Sequence, residues 1–247
     1  MHQWDVWGEA MSMSPRLLRP RATGFDPRSI SGLLVWMDAS DASTYTIATG
    51  VSEWRDKSGN GRTFSQSTEN NQPLVSATKQ NGKTLFEFDG TNDRMTATGN
   101  WLQVANCTLF AAFKRNSGTF GGVIASSGNL DNSPGIIIDS SVPAIRGYSN
   151  FSSGASGSAT AFQIMSGTVT NGASVAFTNG TQTDSDAASG SLGSDQTITS
   201  IGTYRTTAAN FLNGLLGEVL AFSRVLTVSE RRSVEAYLGK KYGITVA

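Results

Sequence analysis

The stretch from Gly214 to Ile244 constrains the fold more than any other part of the chain. It opens with an almost unbroken apolar run that ends at Phe222, which is typical of a β-strand covered on both faces. Thr227 and Glu230 then stand at the spacing of a helix capping box, and Gly243 occupies the position of a left-handed C-cap. The sequence therefore predicts a strand followed by a C-terminal helix.

The composition of the remaining chain favours an all-β fold. Of the 247 residues 27 are glycine and only 15% are charged, and short apolar runs alternate with Gly, Ser and Thr. This pattern indicates many short strands joined by turns, spaced about 8–12 residues apart. We find no fixed-period repeat, so the pattern predicts a two-sheet sandwich and argues against a propeller or solenoid.

The same patterns predict where individual residues lie in the fold. Trp36 and Trp54 fall in strand patterns, and we expect both in the core. The dipeptide Asn179-Gly180 predicts a type I′ hairpin. The polar run at residues 229–232 and the two lysines at 240–241 are expected to form the solvent face of the C-terminal helix.

Charge and cysteine content limit the setting in which the protein works. The formal net charge is zero, so we expect no general attraction to nucleic acid or to membrane surfaces. Cys107 is the only cysteine and lies in an apolar run, which predicts a buried thiol and no intrachain disulfide. The N-terminus lacks the residue order of a cleaved secretory signal, so we expect another route to the outside of a cell, such as release with a phage particle.

Residues 1–27 differ in character from the rest of the chain. Two Trp, three Pro and three Arg occur there without any sustained period. A floppy arm and an arm that docks on a neighbouring subunit are both open interpretations, and Trp and Arg are favoured anchors in protein contacts. The candidate attachment residues are Trp4, Trp7, Leu17, Leu18 and Arg19. We therefore divide the chain into an N-terminal arm, residues 1–27, and a globular domain, residues 28–247.

Four segments of the globular domain match the pattern of a known family. They are LVWMDASD at 34–41, WRDKSGNG at 54–61, FEFDGTND at 86–93 and the closing strand and helix from 217 to 244. Together they resemble the concanavalin A-like lectin/glucanase superfamily, in the laminin-G-like form found in phage virion and bacterial surface proteins. The resemblance implies a jelly roll of two antiparallel sheets over about residues 30–244, with the helix appended. It implies little about function, because this fold hosts lectins, glycosidases and structural modules alike.

The sequence lacks the catalytic patterns of the superfamily, which predicts that the chain is not an enzyme. Glucanases of the superfamily carry Glu-x-Asp-x-Glu on one strand, and the nearest match here, Glu87-Phe-Asp89-Gly-Thr91, lacks the third carboxylate. Glu218 is a lone carboxylate in an apolar strand, and we expect it to bond to backbone or to an arginine. His2 is the only histidine, which argues against a Ser-His-Asp triad and a histidine-rich zinc site.

Calcium is the only candidate ion, and no other cofactor is predicted. The resemblance implies that relatives bind calcium at the sandwich rim, through hard oxygen ligands. The candidate ligands, which all lie in predicted turns, are Asp38, Asp56, Asn60, Asp89 and Asp93. Asp and Asn also occupy turns for purely local reasons, so both interpretations stay open.

Aromatic residues near predicted loops are candidate glycan platforms, with core or rim packing as the alternative. These candidates are Trp101, Tyr148, Phe151 and Tyr204. Taken together, the resemblance and the arm predict a non-enzymatic, homo-oligomeric module on the surface of a phage virion, such as a decoration, fibre or tail-surface protein. Its arm would contact capsid or tail proteins, and glycan binding would be secondary. The alternative is a secreted or surface lectin, or a glycosidase-related domain.

Overall fold

A computed structural model describes residues 24–127, 133–148, 160–193, 197–203 and 210–247. These residues form two antiparallel β-sheets and one C-terminal helix, which confirms the predicted sandwich with an appended helix. The strands are β1 (Leu33–Asp38), β2 (Tyr45–Ile47), β3 (Val51–Arg55), β4 (Thr63–Ser65), β5 (Leu74–Val75), β6 (Phe86–Asp89), β7 (Met95–Thr98), β8 (Asn106–Ser117), β9 (Gly121–Ser127), β10 (Gly135–Asp139), β11 (Val142–Arg146), β12 (Gln163–Thr170), β13 (Ser174–Thr178), β14 (Thr181–Asp186), β15 (Ile198–Ile201) and β16 (Asn213–Phe222), and the helix is α1 (Val228–Tyr242). Within the described ranges, no helix combines the length and the apolar character that a membrane crossing requires.

Strand β16 is the centre of the first sheet, here called sheet A. The strand order is β14-β13-β12-β8-β16-β6-β5, and β1 also pairs with β16. The first half of β16 pairs with β6 and the second half with β1, while β8 runs along its other edge. The second sheet, sheet B, has the order β11-β10-β9-β15-β7-β4-β3-β2. The last strand that the sequence predicts, β16, therefore pairs with three strands of sheet A: β1, β6 and β8.

The main core lies between the two sheets. Trp54 and Phe64 from sheet B and Phe86 and Phe113 from sheet A are completely buried there. Burial of a side chain of this size stabilises a fold by about 1.5–3 kcal/mol relative to exposure. The predicted core position of Trp54 is confirmed.

Helix α1 covers the other face of sheet A. Phe110 and Leu220 pack there with Val234, Leu238 and Tyr242 of the helix, all of them fully buried. Strands β8 and β16 are thus covered on both faces, which explains why their sequences are almost continuously apolar.

Both predicted ends of α1 are confirmed. The Thr227 side chain accepts a hydrogen bond from the Glu230 backbone N–H at 3.3 Å, and Glu230 accepts from the Thr227 N–H at 2.9 Å. Gly243 has a φ of 68°, which is the left-handed C-cap conformation. Asn179 and Gly180 have φ values of 49° and 81°, the positive pair that a type I′ turn requires.

The predicted solvent face of α1 is wrong for two of its residues. Arg232 and Lys240 are exposed, as expected. Arg231 is instead buried, and its guanidinium pairs with Glu235 at 2.5 Å. Lys241 also points inward. The helix therefore buries more of its circumference against sheet A than a simple apolar stripe indicates.

The sequence does not predict four short strands, β2, β4, β5 and β11. The first three have only two or three residues each, too few for an alternation of apolar and polar residues to be recognised. Strand β11 contains Pro143, which argues against a strand. It forms the outermost strand of sheet B, a position where proline is tolerated because one side of the strand has no partner.

The first described residues pack against the globular domain. The Phe25 ring centroid lies 5.7 Å from that of Tyr237, and Pro27 is buried. Asp26 caps a short 3-10 turn and pairs with Arg28 at 2.6 Å. Residues 24–27 of the predicted arm thus contact the domain, while residues 1–23 lie outside the described ranges.

Candidate functional site

The outer face of sheet B carries a row of polar side chains near one edge. Thr46, Glu53, Ser65 and Thr96 stand opposite one another on the neighbouring strands β2, β3, β4 and β7. Side chains at paired positions share a face of the sheet, so these four lie side by side. Trp54 follows Glu53 in the chain and is buried in the core, which places the row on the face that points away from the core.

The polar row lines an open groove of about 340 Å³, here called the sheet B groove. Ser52, Gln66 and Ser67 complete its lining. The Gln66 amide is held in place, because its nitrogen donates to the Arg94 carbonyl and its oxygen accepts from the Thr68 N–H, both at 3.0 Å. The volume lies at the lower end of the range typical of ligand sites, and every lining residue has a polar side chain.

A carboxylate and a guanidinium meet at this groove. Arg55 donates to Glu53, to the Thr46 hydroxyl at 3.0 Å and to the Ser43 carbonyl at 2.9 Å. Both charged side chains keep 41% exposure, so part of their hydrogen-bonding capacity faces solvent. Hydroxyl, amide, carboxylate and guanidinium groups together supply both donors and acceptors. The groove can therefore hydrogen-bond a ligand that carries several hydroxyl groups.

The predicted aromatic platforms are placed less favourably. Trp101 is half-buried, and the Arg62 guanidinium lies over one face of its ring, 4.7 Å from the ring centroid. Tyr148 is only 6% exposed, and its hydroxyl donates to a backbone carbonyl at 2.5 Å, so its ring belongs to the core. Phe151 and Tyr204 lie outside the described residues.

Three of the calcium candidates bind groups of the protein itself. Asp56 accepts from the backbone N–H groups of Trp36 at 2.9 Å and Ser58 at 2.7 Å. The Asn60 amide donates to two β1 carbonyls at 2.8 and 3.0 Å, and Asp38 is neutralised by two lysines. The bonds of Asp56 and Asn60 hold the loop after β3 against β1. This is the local structural role that the sequence offered as the alternative to calcium binding.

Asp89 and Asp93 lie in the turn between β6 and β7. Asp89 accepts from the N–H groups of Thr91 and Asn92 at 2.7 and 3.3 Å, and Asp93 accepts from the Asp89 N–H at 2.9 Å. Burial raises the pKa of Asp93 to about 6, and the charges of Asp89 and Glu87 add to the effect. Across the described part of the chain, no group of three or more acidic, His or Cys side chains could hold a metal ion. Calcium binding stays a prediction.

A buried charge network, which the sequence does not predict, joins α1 to sheet A. Glu218 is fully buried and accepts from Trp36 Nε1 at 2.6 Å, Tyr237 Oη at 2.7 Å and Lys241 Nζ at 2.5 Å. Tyr242 Oη donates to it at 3.2 Å. The expectation that Glu218 bonds to backbone or arginine is wrong, since its partners are one lysine and three aromatic side chains.

Two lysines and two aspartates extend this network. Lys241 reaches Asp38 at 2.6 Å, and Lys57 bridges Asp38 and Asp41 at 2.9 and 2.8 Å. Burial raises the pKa of Glu218. Burial by itself would raise the pKa of Asp38. The ammonium groups of Lys241 and Lys57 outweigh this effect and hold the pKa below its usual value. Each lysine of the network is paired with carboxylates of the same network. The network therefore holds the helix on the sheet. Its members come from distant parts of the chain, and only the i, i+4 spacing of Tyr237 and Lys241 hints at it.

The predicted attachment residues cannot be placed on this framework. Trp4, Trp7, Leu17, Leu18 and Arg19 all lie outside the described residues.

Solved structures match the fold, although no protein-family model and no curated protein sequence matches the chain. Trypanosoma rangeli sialidase in complex with 2,3-difluorosialic acid superposes with a TM-score of 0.61 at 15% identity, covering 87% of this chain and 34% of the sialidase. Domain 4 of AbnA, a GH43 extracellular arabinanase from Geobacillus stearothermophilus in complex with arabinotriose, gives 0.58 at 11% identity, covering 83% and 98%. The binding domain of botulinum neurotoxin DC in complex with SialylT gives 0.59 at 12% identity, covering 86% and 52%.

These matches define the class of the domain by fold. It is a β-sandwich of the kind found in carbohydrate-binding and glycosidase-related proteins, consistent with the concanavalin A-like resemblance. The chain spans about a third of the length of the sialidases that it matches. The laminin-G-like and phage parts of the resemblance stay predictions.

The prediction that the chain is not an enzyme is wrong as it was argued, because its structural neighbours include sialidases as well as binding domains. That prediction rested on an incomplete glucanase motif, a lone carboxylate and a single histidine. A fold that hosts several chemistries can use other catalytic residues. Glu87 and Asp89, the residues of that motif, are exposed on β6, and Glu87 accepts from the Ser76 hydroxyl at 3.0 Å.

Proposed function

We propose that this chain is a carbohydrate-binding β-sandwich domain that binds glycan in the sheet B groove. The observation that carries the proposal is the polar row Thr46, Glu53, Ser65 and Thr96, with Arg55 held beside it. Sugar hydroxyls donate and accept hydrogen bonds, and the row supplies partners for both. The arabinotriose and SialylT complexes of two structural neighbours support a carbohydrate ligand for this fold.

The geometry favours a preorganised but weak site. The row lies on four paired strands, so little side-chain or backbone ordering is needed on binding. None of the lining side chains is aromatic, so the stacking area that strengthens many sugar sites is absent from this lining. Several copies of the domain on one assembly would compensate through avidity, since linked weak sites bind far more tightly together than singly.

A glycan array followed by calorimetry with arabino-oligosaccharides and sialylated glycans tests the proposal on the full chain. Glu53→Gln keeps the shape of the side chain but removes its charge, and we expect at least a tenfold loss of affinity. Glu87→Gln is the matched control, because it makes the same change on an exposed strand position of sheet A. Equal affinity of Glu53→Gln and wild type, or no glycan bound at all, would refute the assignment.

Repeating the titration in EDTA addresses calcium. The sheet B groove contains a single carboxylate among its lining residues, Glu53, so we expect binding there to survive chelation. Loss of binding in EDTA would point to a calcium-dependent site elsewhere and count against this groove.

We further propose that the domain is displayed on the surface of a phage virion or a similar extracellular assembly, as a homo-oligomer. Residues 1–27 would attach it to capsid or tail proteins. The Trp and Arg residues of this segment support the proposal, because such residues are favoured interface anchors. Deletion of residues 1–23, which spares the packed residues Phe25 and Pro27, should abolish incorporation into particles. Incorporation at the wild-type level would contradict the attachment role.

A further inference from the structure

A second groove, of about 720 Å³, runs beside α1; we call it the helix groove. Its lining includes Ala236, Tyr237 and Lys240 of the helix. Phe25, whose ring lies beside that of Tyr237, and Lys83 also line the groove. It is separate from the sheet B groove, with which it shares no lining residue.

The helix groove combines apolar surface with unpaired positive charge. The rings of Phe25 and Tyr237 supply the apolar part, and the Tyr237 hydroxyl is already bonded to Glu218. Lys83 and Lys240 are exposed, and neither has an ion-pair partner among the described residues. None of the lining residues is acidic. An occupant of this groove should therefore carry large apolar side chains together with carboxylates.

One segment of the same polypeptide has this chemistry. Residues 4–9, Trp-Asp-Val-Trp-Gly-Glu, contain two Trp and two acidic residues, and no Lys or Arg occurs before Arg16. We propose that residues 4–9 of this chain dock in the helix groove. Trp4 and Trp7 would pack on its aromatic rings, and Asp5 and Glu9 would face its two unpaired lysines, Lys83 and Lys240.

The connection between groove and segment is long enough for this docking. Gly24 lines the groove, so the chain leads from it directly into residues 1–23. Residues 10–23 can extend up to about 45 Å, whereas the helix edge from Ser233 to Lys240 is only about 10 Å long. The segment can therefore reach the groove of its own copy or that of a second copy, where it would build a homo-oligomer. The inference is independent of glycan binding in the sheet B groove. With residues 4–9 docked, the contact to capsid or tail proteins would fall to the rest of the arm, which includes Leu17, Leu18 and Arg19.

Disulfide trapping in the full-length chain tests the docking. The variant Gly8→Cys with Ala236→Cys places one thiol in the segment and one on the exposed helix wall, while Cys107 is buried and does not compete. The control pair is Gly8→Cys with Ser67→Cys, an exposed residue of the sheet B groove. We expect the helix-groove pair to oxidise at least fivefold faster, as an internal bond if the copy binds its own segment and as a dimer band if it binds that of another. Equal rates for the two pairs would overturn the proposal.

Charge reversal in the same trapping background supplies a second readout. Lys83→Glu with Lys240→Glu should slow the bond formation at least fivefold, and Trp4→Ala with Trp7→Ala should do the same from the segment side. Lys79→Glu changes an exposed lysine outside the lining and should leave the rate unchanged. If neither the charge reversal nor the loss of the tryptophans changed the rate of disulfide formation, the proposal would also be overturned. Glycan affinity should be unaltered in the variants of the segment, the helix groove and Lys79, none of which lines the sheet B groove. This separates the test from that of the proposed function.

Discussion

Lys241 on α1 and Glu218 on β16 form a buried ion pair, with Nζ 2.5 Å from Oε2. The glutamate side chain is fully buried and that of the lysine is 11% exposed. In such a position each charge depends on the other, because loss of one partner leaves the second without compensation. The pair therefore couples the seating of the helix to the centre of sheet A.

Replacement of the lysine should be costly. Lys241→Met removes the ammonium group and leaves Glu218 and Asp38 facing each other, and we expect a loss of about 3–5 kcal/mol of unfolding free energy at neutral pH. Burial already raises the pKa of Glu218, so proton uptake by the glutamate should make the loss smaller as the pH falls. Urea unfolding of the variant measures this. Lys240→Met, at an exposed neighbouring position, should stay within about 0.5 kcal/mol of wild type, and similar losses in both variants would contradict the network.

Asp93 should make the folded state less stable as the pH rises. Its pKa is about 6, above the ordinary value of 3.8, so the folded state binds this proton more tightly than the unfolded chain. The contribution of Asp93 is favourable below about pH 4 and is lost progressively between about pH 4 and 6.

The variant Asp93→Asn tests the direction of this pH dependence, because an amide keeps an acceptor for the Asp89 N–H but carries no charge. Asp93 is mostly charged in the folded state at pH 7 and protonated at pH 4. We therefore expect a gain of about 1 kcal/mol at pH 7 and none at pH 4. Denaturant unfolding at both pH values is the measurement. A variant that is less stable at pH 7, or a difference that does not depend on pH, would contradict the expected sign.

Gly217 should not accept a side chain. A Cβ atom at this position would lie 2.7–2.8 Å from Cε1, Cζ and Oη of Tyr242. Tyr242 is the last residue of α1 and is completely buried against sheet A, so its ring cannot move freely. We expect Gly217→Ala to cost about 1–3 kcal/mol through overpacking, measured as a lower midpoint in thermal unfolding. Gly24→Ala, where no atom lies within 4 Å of the added Cβ, is the reference; an equal midpoint for both variants would argue against the tight contact.

Cys107 should be inert in the folded protein. Its thiol is fully buried, and burial raises its pKa to about 12. The reactive thiolate is then almost absent at pH 8, and we expect Ellman's reagent to label the native chain at least a hundredfold more slowly than the urea-unfolded chain. Ser67→Cys adds an exposed thiol and should label at once. Rapid labelling of native wild type would contradict the buried position and would also complicate the trapping experiment.

The sequence predicts well where the signal is local. The capping box of Thr227 and Glu230, the C-cap at Gly243 and the turn at Asn179-Gly180 are all confirmed, because each depends on residues a few positions apart. Most long strands are confirmed for the same reason, since alternation or a continuous apolar run is visible within one segment. Strands of two or three residues leave no such trace.

The candidate site is not visible in the sequence. Thr46, Glu53, Ser65 and Thr96 look like ordinary polar positions on separate segments. They become neighbours only because sheet B pairs β4 directly with β7, while β5 and β6 go to sheet A. The aromatic residues near predicted loops, by contrast, suggested a glycan platform, but Tyr148 is buried and Arg62 covers a face of Trp101.

By itself, the sequence determined the class of fold, the closing strand and helix, and the buried state of Cys107, because hydrophobic periodicity and capping chemistry act over short distances along the chain. Only the tertiary structure decided that Lys241 turns inward to Glu218, that the Asx residues of the loops bind the protein's own groups, and that a polar row crosses sheet B. Those outcomes depend on strand order, register and the seating of a helix on a sheet. They are set by packing between segments far apart in the chain, which no local pattern encodes.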